Sequence, residues 1–259
     1  MKKFTILAAF VLFATAAVFA QTEKTTIIIN ENGEKTTIVE RWFRSRLSDP
    51  LPSLYYAYLD MRNGSFGPEA SVPIRSSSFE WGMYSTSEIY STRNSRFGVS
   101  SGIGISNSYN FFTHDRVLRV DEDHNAFIQP LVQYSSEPGN GPETRFAHKS
   151  FLRYWSLRIP LMLQLQWDVN GSPLALAAGA EVEWRFGVRS FAHYGGSKHT
   201  ITNSLEYNPL GVNALFSLSF DDAVIFFRMG LGEMFTLKNP GKDDMHIHQM
   251  AIGFGFNFD

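Results

Sequence analysis

The 259-residue chain contains no cysteine. It can therefore form no disulfide framework and no thiolate metal site, and it offers no cysteine for lipid attachment. Beyond residue 20, no run approaches the roughly 18 consecutive apolar residues that a membrane-spanning helix needs. The mature chain is therefore expected to be either water-soluble or a membrane β-barrel, because only helices and closed barrels satisfy their backbone hydrogen bonds in lipid.

Charge is also scarce, since charged residues make up 19% of the chain and the net charge is −2. This balance gives no support to nucleic-acid binding. Beyond residue 20, lysine occurs only at Lys24, Lys35, Lys149, Lys198, Lys238 and Lys242. These positions lie in the N-terminal extension, in predicted loops or at strand ends. A soluble, ligand-holding barrel would need a strand surface that faces water and would normally carry lysine there, so the scarcity favours a barrel that faces lipid.

The first 20 residues have the layout of a cleaved secretory signal peptide. Lys2 and Lys3 precede an apolar run that ends in small residues at Ala20. We expect residues 21–53 to form a periplasmic N-terminal extension and residues 54–259 to form an outer-membrane β-barrel domain. The expected location of the mature protein is thus the cell outer membrane.

Two long runs with a period of two follow one another and identify the fold class. One face of the first run carries Phe151, Trp155, Leu157, Ile159, Leu161, Leu163, Leu165 and Trp167. The matching face of the second carries Leu174, Leu176, Ala178, Ala180, Val182, Trp184, Phe186 and Val188. Such alternation predicts two β-strands, and Asn170-Gly171 between them predicts a type I′ hairpin turn. Glycine and paired opposite charges on the other faces suit a narrow barrel interior.

The whole pattern predicts eight strands. They cover approximately 54–62, 78–91, 96–111, 151–168, 174–190, 206–220, 223–237 and 246–258. Tight turns follow the second, fourth and sixth strands, and longer segments follow the first, third, fifth and seventh. This alternation is typical of an outer-membrane barrel with short periplasmic turns and long extracellular loops. We therefore predict an all-β fold, an eight-stranded antiparallel transmembrane up-and-down β-barrel.

Aromatic residues mark both edges of the predicted lipid-facing band. The hairpin register places Trp155 opposite Phe186, and Leu157 opposite Trp184. From this group to Trp167 is ten to twelve residues along the strands, or roughly 25 Å along the membrane normal at the usual strand tilt. The spacing predicts two aromatic girdles, which comprise Trp155, Trp167, Trp184 and Phe186.

Charged residues collect on the predicted inward faces. They are Glu80, Glu88, Arg158, Glu181, Glu183, Arg185 and Arg228. The register puts Arg158 directly opposite Glu183. Such a set is compatible with an ion or proton path, but we expect it to plug the lumen as paired charges, because a charge in a low dielectric needs a partner. An open pore requires many more strands.

Histidine gives a weaker signal for a metal or catalytic site. The seven histidines, all expected in outer loops or at the outer rim, are His114, His124, His148, His193, His199, His246 and His248. His246 and His248 could bind a metal with His193 or His199. Their spacing is not diagnostic, so we expect no metal and no cofactor.

A lipid-modifying enzyme is a further alternative, because Ser190, His193 and Glu206 could form a catalytic set at the outer rim. These are common loop residues without diagnostic spacing, and we expect no enzymatic activity. The long segment 112–150, which contains Asp121-Glu122-Asp123, is the natural place to contact an extracellular ligand or protein partner.

Several segments of the chain resemble a known family. They are Arg96–Phe111, Lys149–Leu163 with its Ile-Pro-Leu core, Ala178-Gly179 and Ile252–Phe258. In their order they resemble the small porin-family (PorT-like) outer-membrane β-barrel proteins of Bacteroidota. Arg158 departs from the pattern, because many relatives carry an acid before the Ile-Pro pair. The resemblance implies an eight-stranded barrel in contact with outer-membrane lipids and transfers no catalytic residues. We expect a structural or surface-interaction role, with a narrow porin-like channel or an outer-leaflet lipid-modifying enzyme as alternatives.

Overall fold

The computed structural model describes part of the chain. Its residues are 24–29, 35–40, 47–63, 74–75, 77–92, 96–113, 116–122, 124–130, 132–135, 143–146, 149–170, 172–194, 197–238 and 243–258. The predicted signal segment 1–20 lies outside the described residues. A helix long and apolar enough to cross a membrane does not occur among the residues that are described.

The regular elements of the described residues are all β-strands, which confirms the all-β prediction. In chain order they are β1 (Lys24–Ile29), β2 (Lys35–Glu40), β3 (Leu54–Asn63), β4 (Phe79–Ser91), β5 (Phe97–Phe111), β6 (Arg116–Val120), β7 (Ala126–Pro130), β8 (Val132–Ser135), β9 (Glu143–Phe146), β10 (Lys149–Val169), β11 (Ser172–Tyr194), β12 (Ser197–Thr202), β13 (Leu210–Phe220), β14 (Ala223–Gly230), β15 (Phe235–Leu237) and β16 (Met245–Phe256).

Eight of these strands form one closed hydrogen-bonded ring. Its order is β3, β4, β5, β10, β11, β13, β14 and β16, and β16 pairs with β3 to close it. Each neighbouring pair in the ring is antiparallel. Every ring strand therefore has a hydrogen-bonded partner on both sides, although β3 and β4 pair only between Tyr55–Tyr58 and Phe79–Gly82.

The hairpin of β10 and β11 has the predicted register. Arg158 pairs with Glu183, and Trp155 pairs with Phe186. The hairpin turns at Asn170, which has a φ of 56°, a left-handed conformation that asparagine tolerates and that a type I′ turn requires. The turn chemistry therefore predicts the pairing of these two strands from the turn as far as Trp155 and Phe186.

A β-bulge interrupts this hairpin and overturns one prediction. The register shifts between Arg153 and Trp155, and Gly187 on the opposite strand has a φ of 64°. A glycine in the left-handed region is typical of a bulge with one extra residue, which reverses the faces of the residues beyond it. The prediction that Val188 shares the outward face of Phe186 is therefore wrong, because Val188 is buried inside the ring.

Three predicted segments also differ from the structure. The strand predicted at 223–237 ends at Gly230, and Phe235–Leu237 forms the separate strand β15. The strand predicted from residue 206 begins at Leu210. The segment 112–150 is more than a long connection, since it contains β6, β7, β8 and β9. Alternation did not reveal these breaks, because each depends on contacts with distant parts of the chain.

The end of the ring that carries the turn at Asn170, here called the short-turn end, is closed by the segment before β3. Leu47 and Leu51 of this segment are buried. Gly98 makes room for it, because a Cβ at that position would lie 1.9 Å from Leu47 Cδ1. The Ser48 backbone N–H donates a hydrogen bond of 2.8 Å to Gln166 Oε1. The last residues of the predicted extension 21–53 thus lie inside the ring.

The opposite end, here called the loop end, is filled by an apolar cap. Its buried residues are Met61, Phe112, Leu118, Ala126, Leu152, Tyr154, Val188, Leu205, Met234, Phe235, Leu237 and Ile247. The hairpin of β6 and β7 contributes Leu118 and Ala126, and Ala126 also pairs with Leu237 of β15. The cap therefore joins ring strands to the segments that connect them.

Candidate functional site

The middle of the ring interior holds a charge cluster, formed by Glu80, Arg158, Glu181, Glu183, Arg185 and Arg228. Inward-facing positions of β10 and β11 supply four of these residues, whereas Glu80 comes from β4 and Arg228 from β14. All six are buried, with at most 2% of each residue exposed. Six of the seven predicted lumen charges therefore lie together.

Arg158 is the centre of the charge cluster. Its guanidinium makes a bidentate contact with Glu80, with Nη1–Oε1 and Nη2–Oε2 distances of 2.6 and 2.7 Å. Nη2 also donates a hydrogen bond of 2.9 Å to Glu183 Oε1, and Nε lies 3.4 Å from Glu181 Oε1. Arg158 thus contacts all three acids, and its bidentate partner is Glu80 rather than Glu183, the residue directly opposite it.

The other two arginines complete the neutralisation. Arg228 Nη2 lies 2.8 Å from Glu80 Oε1, and Arg185 Nη2 lies 2.8 Å from Glu183 Oε2. Three arginines face three glutamates, so the formal charges of the cluster cancel. Charges buried in a low dielectric are tolerated when they are paired and hydrogen-bonded in this way.

Uncharged side chains that sequence reasoning missed complete the network. Tyr55 OH donates 2.8 Å to Glu80 Oε1 and accepts 2.6 Å from Arg158 Nη1. Other uncharged donors to the glutamates are Tyr84 to Glu181 at 2.5 Å, Ser108 to Glu80 at 2.6 Å, Ser156 to Glu183 at 2.6 Å, and Asn213 to Glu181 at 2.9 Å and to Glu183 at 3.2 Å. The one sequence signal that could have identified these uncharged side chains is alternation, which places each of them on the inward face of its strand.

Small residues of the ring make space for these large side chains. A Cβ at Gly82 would lie 2.6 Å from Tyr55 OH, and one at Gly211 would lie 2.5 Å from Arg185 Nη2. Tyr55 also stacks on Tyr84 with ring centroids 5.4 Å apart. Interior glycines therefore allow side chains to occupy the middle of the ring.

Glu88 does not join the charge cluster. It lies eight residues beyond Glu80 on β4, or roughly 26 Å along the strand at the usual rise. Its carboxylate instead accepts hydrogen bonds from the Leu47 backbone N–H at 3.4 Å and from the Ser91 hydroxyl at the short-turn end. The prediction for Glu88 was right about the inward direction and wrong about the neighbours, because alternation determines a face but not a height.

The predicted aromatic girdle residues lie on the outer face. Trp184 and Phe186 pack together with ring centroids 5.7 Å apart. Trp155 meets Trp81, which the sequence did not single out, in an edge-to-face contact at 5.8 Å. Trp167 lies at the short-turn end and is 46% exposed.

The alternative metal and catalytic sets are not assembled. Among the described residues, no group of three or more His, Cys, Asp or Glu side chains could hold a metal ion. His246 Nδ1 instead lies 2.6 Å from Glu233 Oε2, and His248 Nδ1 lies 3.2 Å from the Gly230 carbonyl. Ser190 faces inward and is fully buried, whereas His193, three residues later on β11, faces outward.

Two comparisons with known proteins gave no match. Neither a protein-family model nor a curated protein sequence matches this chain.

Proposed function

We propose that the protein is an integral outer-membrane β-barrel with a structural or surface-interaction role and a lumen plugged by its charge cluster. The observation that carries this proposal is the inversion of polarity across the ring wall. Six charged side chains are buried inside, whereas large apolar side chains such as Leu161, Leu163 and Phe254 are each more than half exposed outside.

An apolar outer face is unfavourable in water and favourable in lipid. Soluble monomers rarely expose contiguous apolar patches of more than a few hundred Å². Here outward apolar residues follow one another along β10, β11, β13, β14 and β16. Lipid chains around the ring would satisfy this surface, and the backbone groups of the paired strand segments would be hydrogen-bonded within the ring.

The outer membrane is proposed as the location for three reasons. The predicted signal segment 1–20 would export the chain, and an even number of strands with tight turns at one end is usual for outer-membrane barrels. The resemblance to the PorT-like family points the same way. Contact with an external ligand or protein partner is proposed for segment 112–150, which includes the β6–β7 hairpin at the loop end.

A matched pair of substitutions tests the lipid-facing surface. At the middle of a bilayer, Leu163→Arg should destabilise the folded state by about 2–4 kcal/mol. In a water-exposed surface the same change would cost less than about 0.5 kcal/mol. Leu231, 48% exposed at the bend after β14, supplies the control Leu231→Arg, which should have little effect. Urea unfolding from liposomes, followed by tryptophan fluorescence, measures both variants.

Two outcomes would reject this function. One is recovery of the mature protein as a soluble monomer without detergent, together with equal stabilities for the two arginine variants. The other concerns the plug: purified protein in planar bilayers should give no large, steady conductance, since an eight-stranded interior is filled by its own side chains. Reproducible currents of general-porin size would favour the channel instead.

A further inference from the structure

Two arginines lie side by side on the outer face, just beyond the Trp155 and Phe186 pair. Arg153 of β10 and Arg189 of β11 are direct cross-strand partners. Like charges in this position repel each other and destabilise a sheet. Among the described residues, neither arginine has an ion pair with a carboxylate. The local excess of positive charge therefore has no counter-charge within the described protein.

The same two arginines line a cavity on the outer face. The cavity has a volume of about 240 Å³, and its lining residues are Arg153, Trp155, Gly187, Arg189 and Phe191. The absence of a side chain at Gly187 leaves part of this cavity open. A Cβ there would project into open space, since it would meet only Trp155 Cδ1, at 4.0 Å. The Nε atom of Arg153 is buried and has no hydrogen-bond partner among the described residues. It can therefore donate to an acceptor that is bound in the cavity.

A third cation, Lys198, lies near the two arginines. Lys198 Nζ lies 3.9 Å from the centroid of the Phe191 ring and 5.1 Å from that of Phe151. Burial, together with the charge of Arg153, lowers the pKa of Lys198. Aromatic faces hold cations in place by cation–π attraction. We call Arg153, Trp155, Gly187, Arg189, Phe191 and Lys198 the cation cradle.

We propose that the cation cradle binds the phosphorylated head group of a lipid in the outer leaflet. Guanidinium groups bind phosphate oxygens by paired, charge-assisted hydrogen bonds, so a phosphate would neutralise the two arginines together. This inference rests on the proposed membrane-spanning function, which places the aromatic residues Trp155 and Phe186 at the membrane boundary.

The position of the cradle favours a lipid over a free anion. Toward the middle of the ring, the outward face of β10 continues from Trp155 to Leu157, Ile159 and Leu161, and that of β11 continues from Phe186 to Trp184. Acyl chains would lie along this apolar strip while the head group reaches the arginines. A free phosphate would gain nothing from it.

Native mass spectrometry of the detergent-purified full chain tests the proposal. The probes are diphosphoryl lipid A and, for comparison, zwitterionic phosphatidylcholine. The wild-type chain should bind lipid A at least about tenfold more tightly, a difference that affinity measurements resolve easily. The double variant Arg153→Gln with Arg189→Gln should lose that preference.

The control variant also loses two positive charges, but at residues that already form ion pairs with carboxylates. Arg62 pairs with Asp60 at 2.7 Å, and Lys238 pairs with Asp244 at 2.5 Å. The double variant Arg62→Gln with Lys238→Gln should keep its lipid A affinity within about twofold, because a neighbouring carboxylate already neutralises each of these cations. Equal losses in both double variants would show a diffuse charge effect and overturn the proposal.

Further measurements separate the possible failures. Because Arg153 and Arg189 repel each other, the cradle variant should unfold at the same temperature as the wild type or higher, so misfolding would itself count against this reading. Saturable binding of inorganic phosphate alone at lipid-like affinity would overturn the assignment to a lipid. If the chain inserts into liposomes but shows no lipid A preference, only this inference fails. If the chain does not insert into liposomes, the proposed membrane-spanning function is rejected, and this inference is rejected with it.

Discussion

The charge cluster and the apolar cap occupy neighbouring levels of one ring interior, yet they are built in opposite ways. The cluster draws its charged residues from ring strands only, and its ion pairs are linked to one another because Arg158, Glu80 and Glu183 each contact more than one opposite charge. The cap combines ring residues such as Tyr154 with Leu118, Met234 and Phe235 from connecting segments. The cluster therefore stabilises the ring as a coupled unit, whereas the cap fixes connecting segments to it through separate apolar contacts.

The largest effect is expected in the charge cluster. Arg158→Met leaves Glu80 with one arginine and removes a partner of Glu183. Removing one member of a buried ion pair typically costs about 3–5 kcal/mol, since the remaining charge stays buried without its partner. Urea unfolding from liposomes should show a loss of this size. Arg62→Met, at an exposed ion pair whose arginine side chain is 48% exposed, is the control and should cost about 0–1 kcal/mol.

Double variants show which partners are coupled. Arg158→Met with Glu80→Leu leaves two arginines and two glutamates, so the remaining charges still balance. It should be less destabilised than the sum of its single variants, by about 0.5–3 kcal/mol. Arg158→Met with Glu183→Leu should couple more weakly, because Arg158 makes a single hydrogen bond of 2.9 Å to Glu183 and a bidentate contact with Glu80. The reverse order of coupling would mean that the directly opposite residue, and not Glu80, is the main partner.

This contrast also explains what the sequence could predict. Alternation and the Asn170-Gly171 turn were enough to place Arg158 opposite Glu183. They could not identify Glu80 as the bidentate partner, because that contact crosses the interior between strands that are not neighbours. Glu88 shows the same limit, since alternation predicts its inward direction but does not show that it is too far from Glu80 along β4 to join the charge cluster.

The apolar cap was beyond sequence reasoning for a different reason. Leu118 and Phe235 belong to short strands in segments that were predicted as a connection or as part of a longer strand. Their positions depend on long-range contacts such as the Leu237–Ala126 pairing. Short apolar runs do not reveal such contacts, because their period does not indicate what they pack against.

The second expected effect is in the apolar cap. Leu118 of β6 is fully buried there, so Leu118→Ala should cost about 3 kcal/mol through lost burial and the cavity that remains. The β6–β7 hairpin should then become sensitive to protease while the ring strands stay protected. Leu231→Ala, at an exposed bend, is the matched control and should change neither property. Protection of the hairpin in the Leu118 variant would show that the cap does not hold it.

The smallest expected effect is at the boundary between the two levels, where Gly187 forms the bulge. On the short-turn side of Gly187, Arg185 belongs to the charge cluster. On the loop-end side, Val188 belongs to the apolar cap. A Cβ at Gly187 would have space, so the only penalty of Gly187→Ala is the left-handed backbone at a φ of 64°. Such a conformation costs a residue with a Cβ about 1–2 kcal/mol.

Gly232→Ala is the matched control for this change. A Cβ at Gly232 would meet nothing within 4 Å, and its φ is outside the left-handed region. That substitution should be neutral, or should stabilise the chain by up to about 1 kcal/mol by restricting the unfolded state. Urea unfolding of both variants from the same liposomes gives the difference. Equal stabilities would mean that Gly187 has no left-handed bulge, and the alternation would then continue unbroken, with Val188 facing outward and Arg189 inside the ring.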